Sequence, residues 1–236
     1  MFKTSRLFAS AFVLGLVGCA SPGTAPQDMS AAQHEAMAKQ EDQAAAGHEA
    51  QHDPNAVVTK EHCPRGQSSP CWTSKENPTA KHESDAESHK EMAGKHRAAA
   101  AALAQAESVS CAGIDEADRD ASPFYHREDI TAVTPLDRSV KSGKQTSTLV
   151  AGATVTFRAV PMLTTEWLQH EINCHLARAA AVGFDMPEMS YCPLMLKGVK
   201  ATVGAAGDTF VVQVESDDVN TAKEVLSRAQ ALVATK

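Results

Sequence analysis

Between Pro22 and His62 the chain carries no Leu, Ile, Phe, Trp or Tyr. Such a segment cannot bury enough apolar surface to repay the entropy it would lose by folding alone. Its Ala, Gln and Glu residues are nevertheless good helix formers. The composition therefore predicts a helix over 29–51 that needs a partner. Asp53-Pro54-Asn55 stops it, and 63–71 reads as a Pro/Gly/Ser loop between Cys63 and Cys71. Asn77-Pro78 offers a cap and a first-turn proline for a second helix, 79–107, with an Ala-rich end. Two such helices joined by a loop predict an antiparallel hairpin over 29–111. An Ala seam allows close approach but buries little area, so this unit is expected to be only modestly stable.

The rest of the chain is patterned differently. Residues 112–145 contain Pro123 and Pro135 and no clear period, and they are read as an irregular linker with strand character only at 129–133. From 146 to 236 the signals sharpen. Thr154 to Val160 alternates polar and apolar, as a half-buried strand should, and Pro161 ends it. Thr164 or Thr165 caps a helix that runs to about Val182, with Gly183 as its stop. Two period-two segments, 199–203 and 210–214, flank a turn at Gly204–Asp208. Ser216 or Asp217 caps a last helix bearing Ala222, Val225, Leu226, Ala229 and Leu232. The expected class is α+β: a helical hairpin followed by a small antiparallel sandwich, β-α-β-β-α, with its helices on one face. That order is similar to part of a ferredoxin-like pattern, with the last strand missing or supplied from elsewhere.

The N-terminus has three parts. Lys3 and Arg6 are basic, and Leu7 to Val17 is apolar apart from Ser10 and Gly15. A run of about eleven residues is too short to cross about 30 Å of hydrocarbon, so 1–18 reads as an export signal. It ends in Leu16-Val17-Gly18-Cys19. This motif resembles the lipobox of bacterial lipoproteins. The resemblance implies that Cys19 is acylated (palmitate among its chains), that cleavage occurs before it, and that 19–28 is a lipidated flexible tether. Ala20 after the cysteine implies sorting to the outer membrane, with the body in the periplasm. Without Lys3 and Arg6, 20 of the 22 basic residues remain against 29 acidic ones, a net charge of −9. That balance argues against nucleic acid as a partner. The membrane, through the lipid anchor, and a partner protein of the envelope are the expected contacts.

Five cysteines remain besides Cys19, in a compartment that favours disulfides. The expected pairs are Cys63–Cys71 and Cys174–Cys192, leaving Cys111 over. A bridge from Cys111 to Cys63 or Cys71 is the competing arrangement.

Two constellations have the donors for a metal. Seven of the ten histidines lie between 34 and 96. His34, Glu41 and His48 are seven apart, as are His82, His89 and His96. Seven residues is two helical turns, so each set lines one face with a drift of about 20° per step. In an antiparallel hairpin the two rows can face each other. His48 and His52, four apart, can also chelate one ion. Imidazoles with Glu41 suit zinc or copper. The plainer reading is that the rows keep an Ala seam polar. The second set is His170, Cys174, Met186, Met189, Cys192 and Met195, donors that soft Cu(I) prefers. Its plainer reading is a disulfide with methionines packed around it, and His175 is expected to be a packed histidine.

No nucleophile elbow, zincin helix or phosphate-binding glycine loop is present. A thiol enzyme would rest on Cys192 with His170 or His175. The expectation is a non-enzymatic envelope lipoprotein that binds Cu or Zn. The rival is an interaction scaffold without metal.

Overall fold

The computed structural model describes residues 23–63 and 70–234. Residues 1–18, read from the sequence as an export signal, and Cys19 lie outside these residues, as does 64–69 of the loop between Cys63 and Cys71. The architecture is α+β. No helix among the described residues is long and apolar enough to cross a membrane.

Helix α1 (Ala31–Glu49) opens on a reciprocal cap. The Ser30 hydroxyl accepts from the Gln33 amide at 3.1 Å, and the Gln33 side chain accepts from Ser30 N–H at 2.9 Å. Helix α2 (Ala80–Ser110) starts a few residues after Pro78, with Thr79 rather than Asn77 at the cap position. Asn77 instead accepts from the Thr79 amide at 2.7 Å. The two helices pack along their lengths as the expected hairpin. Their seam is Ala38, Ala45, Ala86 and Ala93.

Three features depart from the sequence reading. The connection between α1 and α2 is not a plain loop. It is an antiparallel ribbon of β1 (Val58–His62) and β2 (Trp72–Glu76), with Val58 opposite Glu76 and His62 opposite Trp72. Residues 24–28, read as part of a flexible tether, include a 3₁₀ turn over Pro26–Asp28 that touches α2, and Thr24 is buried. The stretch read as an irregular linker contains a short helix α3 (Glu116–Arg119) and then β3 (Ile130–Ser142), a full member of the main sheet.

That sheet has the order β3-β4-β6-β5, all antiparallel neighbours, with β4 (Gln145–Phe157), β5 (Val199–Ala206) and β6 (Thr209–Ser216). Helix α4 (Thr165–Ala181) links β4 to β5, and α5 (Val219–Ala234) follows β6. The strand missing from the β-α-β-β-α order is therefore β3, which pairs with β4 from the N-terminal side. Pro135 is tolerated because β3 is an edge strand, where one row of backbone groups needs no partner. A register shift between Leu136 and Asp137 sets Ala151 as an extra residue in β4. Beside it, Gly152 lies at φ +156°, where a Cβ would stand 1.9 Å from the Val214 carbonyl oxygen.

The core fills one face of the sheet. Ala153, Val155, Val212 and Val214 meet Leu168 and Ile172 of α4 and Val225, Ala229 and Leu232 of α5. Thr154, Thr156, Gln213 and Glu215 alternate with them toward the other face, on which no helix packs extensively among the described residues. The hairpin is docked on this unit through α2 and α4. Cys111 is bonded to Cys174, and Ile114 packs beside them. Arg178 reaches Glu107 at 2.9 Å and also pairs with Asp120. Gly183, past the end of α4 at φ +77°, lies so close to Ser30 that an added Cβ would be 3.0 Å from the serine Cβ.

Candidate metal centre

The two heptad rows meet. Each step of seven up α1 is matched by a step of seven down α2, so His34 faces His96, Glu41 faces His89 and His48 faces His82. The first pair joins Nδ1 to Nδ1 at 3.0 Å and is fully buried, with His34 Nε2 turned toward the Pro26 carbonyl at 3.4 Å. The middle pair is an imidazole against a carboxylate at 2.6 Å. The third joins Nδ1 to Nδ1 at 3.1 Å and is half-buried. In each imidazole pair one ring donates and the other accepts, so the pair shares a single N–H between two lone-pair sites. Alanines fill the layers between the pairs and let the helices come close enough for the rings to touch.

The third layer has further donors. An Asp85 carboxylate oxygen lies 3.9 Å from His48 Nδ1. The hydrogen-bonded Lys81 ammonium, 2.6 Å away, holds the Asp85 carboxyl below its usual range, so the group is anionic at neutral pH. His89 stacks on the His48 ring with centroids 5.3 Å apart, and Glu41 orients His89. His48 is engaged by His82 rather than by His52. His52 Nε2 lies 3.9 Å from a carboxylate oxygen of Glu83 on α2. Beyond this layer the hairpin is tied shut. Asp53 N–H donates to the Thr79 hydroxyl at 3.0 Å, and the Asn77 amide donates to the Asp53 carbonyl at 2.9 Å.

Among the described residues, three groups of His, Cys and carboxylate donors come within ion-holding distance. In Glu61, Cys63 and Cys71 the sulfurs are spent on a disulfide, the Cys63–Cys71 bridge expected from the sequence. In His126, Glu128 and Asp129 the aspartate is held by Arg158 at 2.6 Å. His48, His82 and Asp85 form the third. Asp85 was absent from the sequence reading. Its signal was there, three residues after His82 on one helix face.

The second expected constellation disperses. Cys174 pairs with Cys111, not with Cys192, because α4 turns the Cys174 face toward the end of α2. Among the described residues Cys192 is the free thiol. It is buried among Met189, Met195 and the sheet residues, and Met186 packs at the edge of the same core. His170 lies on another part of α4 with its ring edge-on to Trp167. The imidazole that Cys192 does meet is His175, at 3.6 Å from Nε2 to Sγ. Burial pushes the Cys192 thiol up and pushes His175 down to about 4. Both groups are therefore neutral at pH 7, the reverse of what an activated thiolate–imidazolium pair needs.

No family model, curated protein or solved structure matches the chain.

Proposed function

We propose that this chain is an exported bacterial lipoprotein, acylated on Cys19 and anchored to the outer membrane with its body in the periplasm, and that its helical hairpin binds copper or zinc. The observation that carries the metal reading is the meeting of the two heptad rows. Four histidines and Glu41–His89 stand in ring-to-ring or ring-to-carboxylate contact across α1 and α2. Paired imidazoles with a carboxylate beside one pair are the kind of donor set that borderline divalent ions select. The soft set around Cys192 lends no support, since its members are dispersed or packed.

The test is metal analysis of the intact chain after purification and dialysis, with cysteines oxidised and reduced. Close to stoichiometric Cu or Zn in both states is expected, because the hairpin donors are not thiols. Its absence in both overturns the metal reading. The anchoring reading is tested by the mass of the N-terminal peptide. A peptide that begins at Met1, with no lipid on Cys19, overturns it.

One observation favours the scaffold reading instead. Among the described residues the β1–β2 ribbon has no extensive packing on another element, and it shows Trp72 at its end, 56% exposed. A photo-crosslinker at residue 72 that captures one defined envelope protein, from cells whose protein is metal-free, would decide for it.

A further inference from the structure

We propose that the layer of the hairpin nearest the β-ribbon is a single-ion site, in which Nδ1 of His48, Nδ1 of His82 and a carboxylate oxygen of Asp85 bind one Zn(II)-like cation, while the other two layers are structural. This rests on the metal reading above and narrows it to one layer and one ligand set. The three layers look alike in the sequence, but their surroundings differ. At His34–His96 both rings are almost wholly buried, and no carboxylate stands within ion-holding distance among the described residues. An ion there would be two-coordinate and stripped of water, which is costly for a divalent charge. In the middle layer Glu41 already satisfies His89 at 2.6 Å.

The end layer has what the others lack. Two imidazole nitrogens lie 3.1 Å apart, a carboxylate oxygen lies 3.9 Å from one of them, and half-exposure leaves room for a water as fourth ligand. Tetrahedral Zn with bonds of about 2.0–2.1 Å wants its donors about 3.3 Å apart. The nitrogens must therefore separate slightly, while the carboxylate closes on His48 from 3.9 Å and on His82 from within 4.8 Å. The neighbours hold the donors near that geometry. His89 stacks on His48, and the Asp53, Asn77 and Thr79 contacts fix the spacing of the helix ends. Lys81, which binds Asp85 now, is largely exposed and can swing away at little cost. In the metal-free pair one ring carries its proton on Nδ1. Binding needs both Nδ1 lone pairs, so that proton moves to Nε2 of the same ring. The exchange is a tautomer change with no net proton loss.

The experiment titrates Zn(II) into the intact metal-free chain, read by calorimetry and by ¹⁵N spectra of the imidazoles. One ion per chain is expected, with the metal-bound nitrogen signature on Nδ1 of His48 and His82. Asp85→Asn and His82→Gln should each weaken binding by about tenfold or more, while His96→Gln leaves it unchanged. Asp85 is half-exposed, so Asp85→Asn keeps the fold even if a histidine variant does not. Unweakened binding in Asp85→Asn and His82→Gln overturns this assignment and leaves the broader reading standing. No binding by the unaltered chain overturns both.

Discussion

His175 carries a titration that the folded chain holds far from its ordinary value. Burial, helped by the nearby Arg178 guanidinium, lowers it to about 4, and its Nδ1 finds no hydrogen-bond partner among the described residues. The unfolded chain takes up this proton near pH 6.5, and the folded chain does so only near 4. Its neutral form is thus compatible with the fold above pH 6.5, and stability falls as pH drops from there toward 4. One histidine with this shift removes about 3 kcal/mol across the window. Urea unfolding at pH 7 and pH 4 should show a smaller acid loss in His175→Gln than in the parent. Gly152 is the other residue with a sharp expectation. A methyl group there meets the Val214 carbonyl at 1.9 Å, which no rotamer relieves. Gly152→Ala should cost about 3 kcal/mol or more, visible as a lowered thermal midpoint, because β4 must separate from β6 to admit it.

At the scale of elements, α1 shows why weak sequence signals still gave the right answer. It buries only His34, Ala38 and Ala45, so little apolar area holds it, and its cap carries unusual weight. Ser30→Ala should destabilise the hairpin by about 1 kcal/mol, seen as faster amide exchange in α1 than in α5. The strand β3 shows the opposite case. Pro135 and a half-exposed pattern concealed it, since an edge strand with one solvated side has neither a clean alternation nor a continuous apolar run. The β1–β2 ribbon escaped for a related reason. Its side chains are mostly exposed, so no hydrophobic period marks it.

Across the whole molecule, the covalent tie from Cys111 to Cys174 spans 63 residues and fastens the hairpin to the sandwich. Closing a loop of that length contributes on the order of 4 kcal/mol by the chain-entropy argument. Replacing both cysteines with serine should lower the thermal midpoint and loosen the hairpin first, because the Arg178–Glu107 pair is partly exposed and holds α2 to α4 only weakly. Melting followed separately through helix signal and through Trp167 of α4, in a chain whose Trp72 is replaced by Phe, would reveal that order. Coincident transitions in the variant would show instead that packing alone couples the two units.

The sequence by itself determined the α+β class, the helical hairpin, the Cys63–Cys71 pair and which residues line the facing seam of α1 and α2. Those follow from local periodicity, capping and helix propensity, which need no knowledge of distant partners. Only the tertiary structure decided that Cys174 meets Cys111, that Cys192 stays unbridged beside His175, that β3 completes the sheet and that Asp85 lies near His48 and His82. Each depends on which elements come together across long stretches of chain. Spacing along one helix names a face, but what that face touches is set by the packing of the whole.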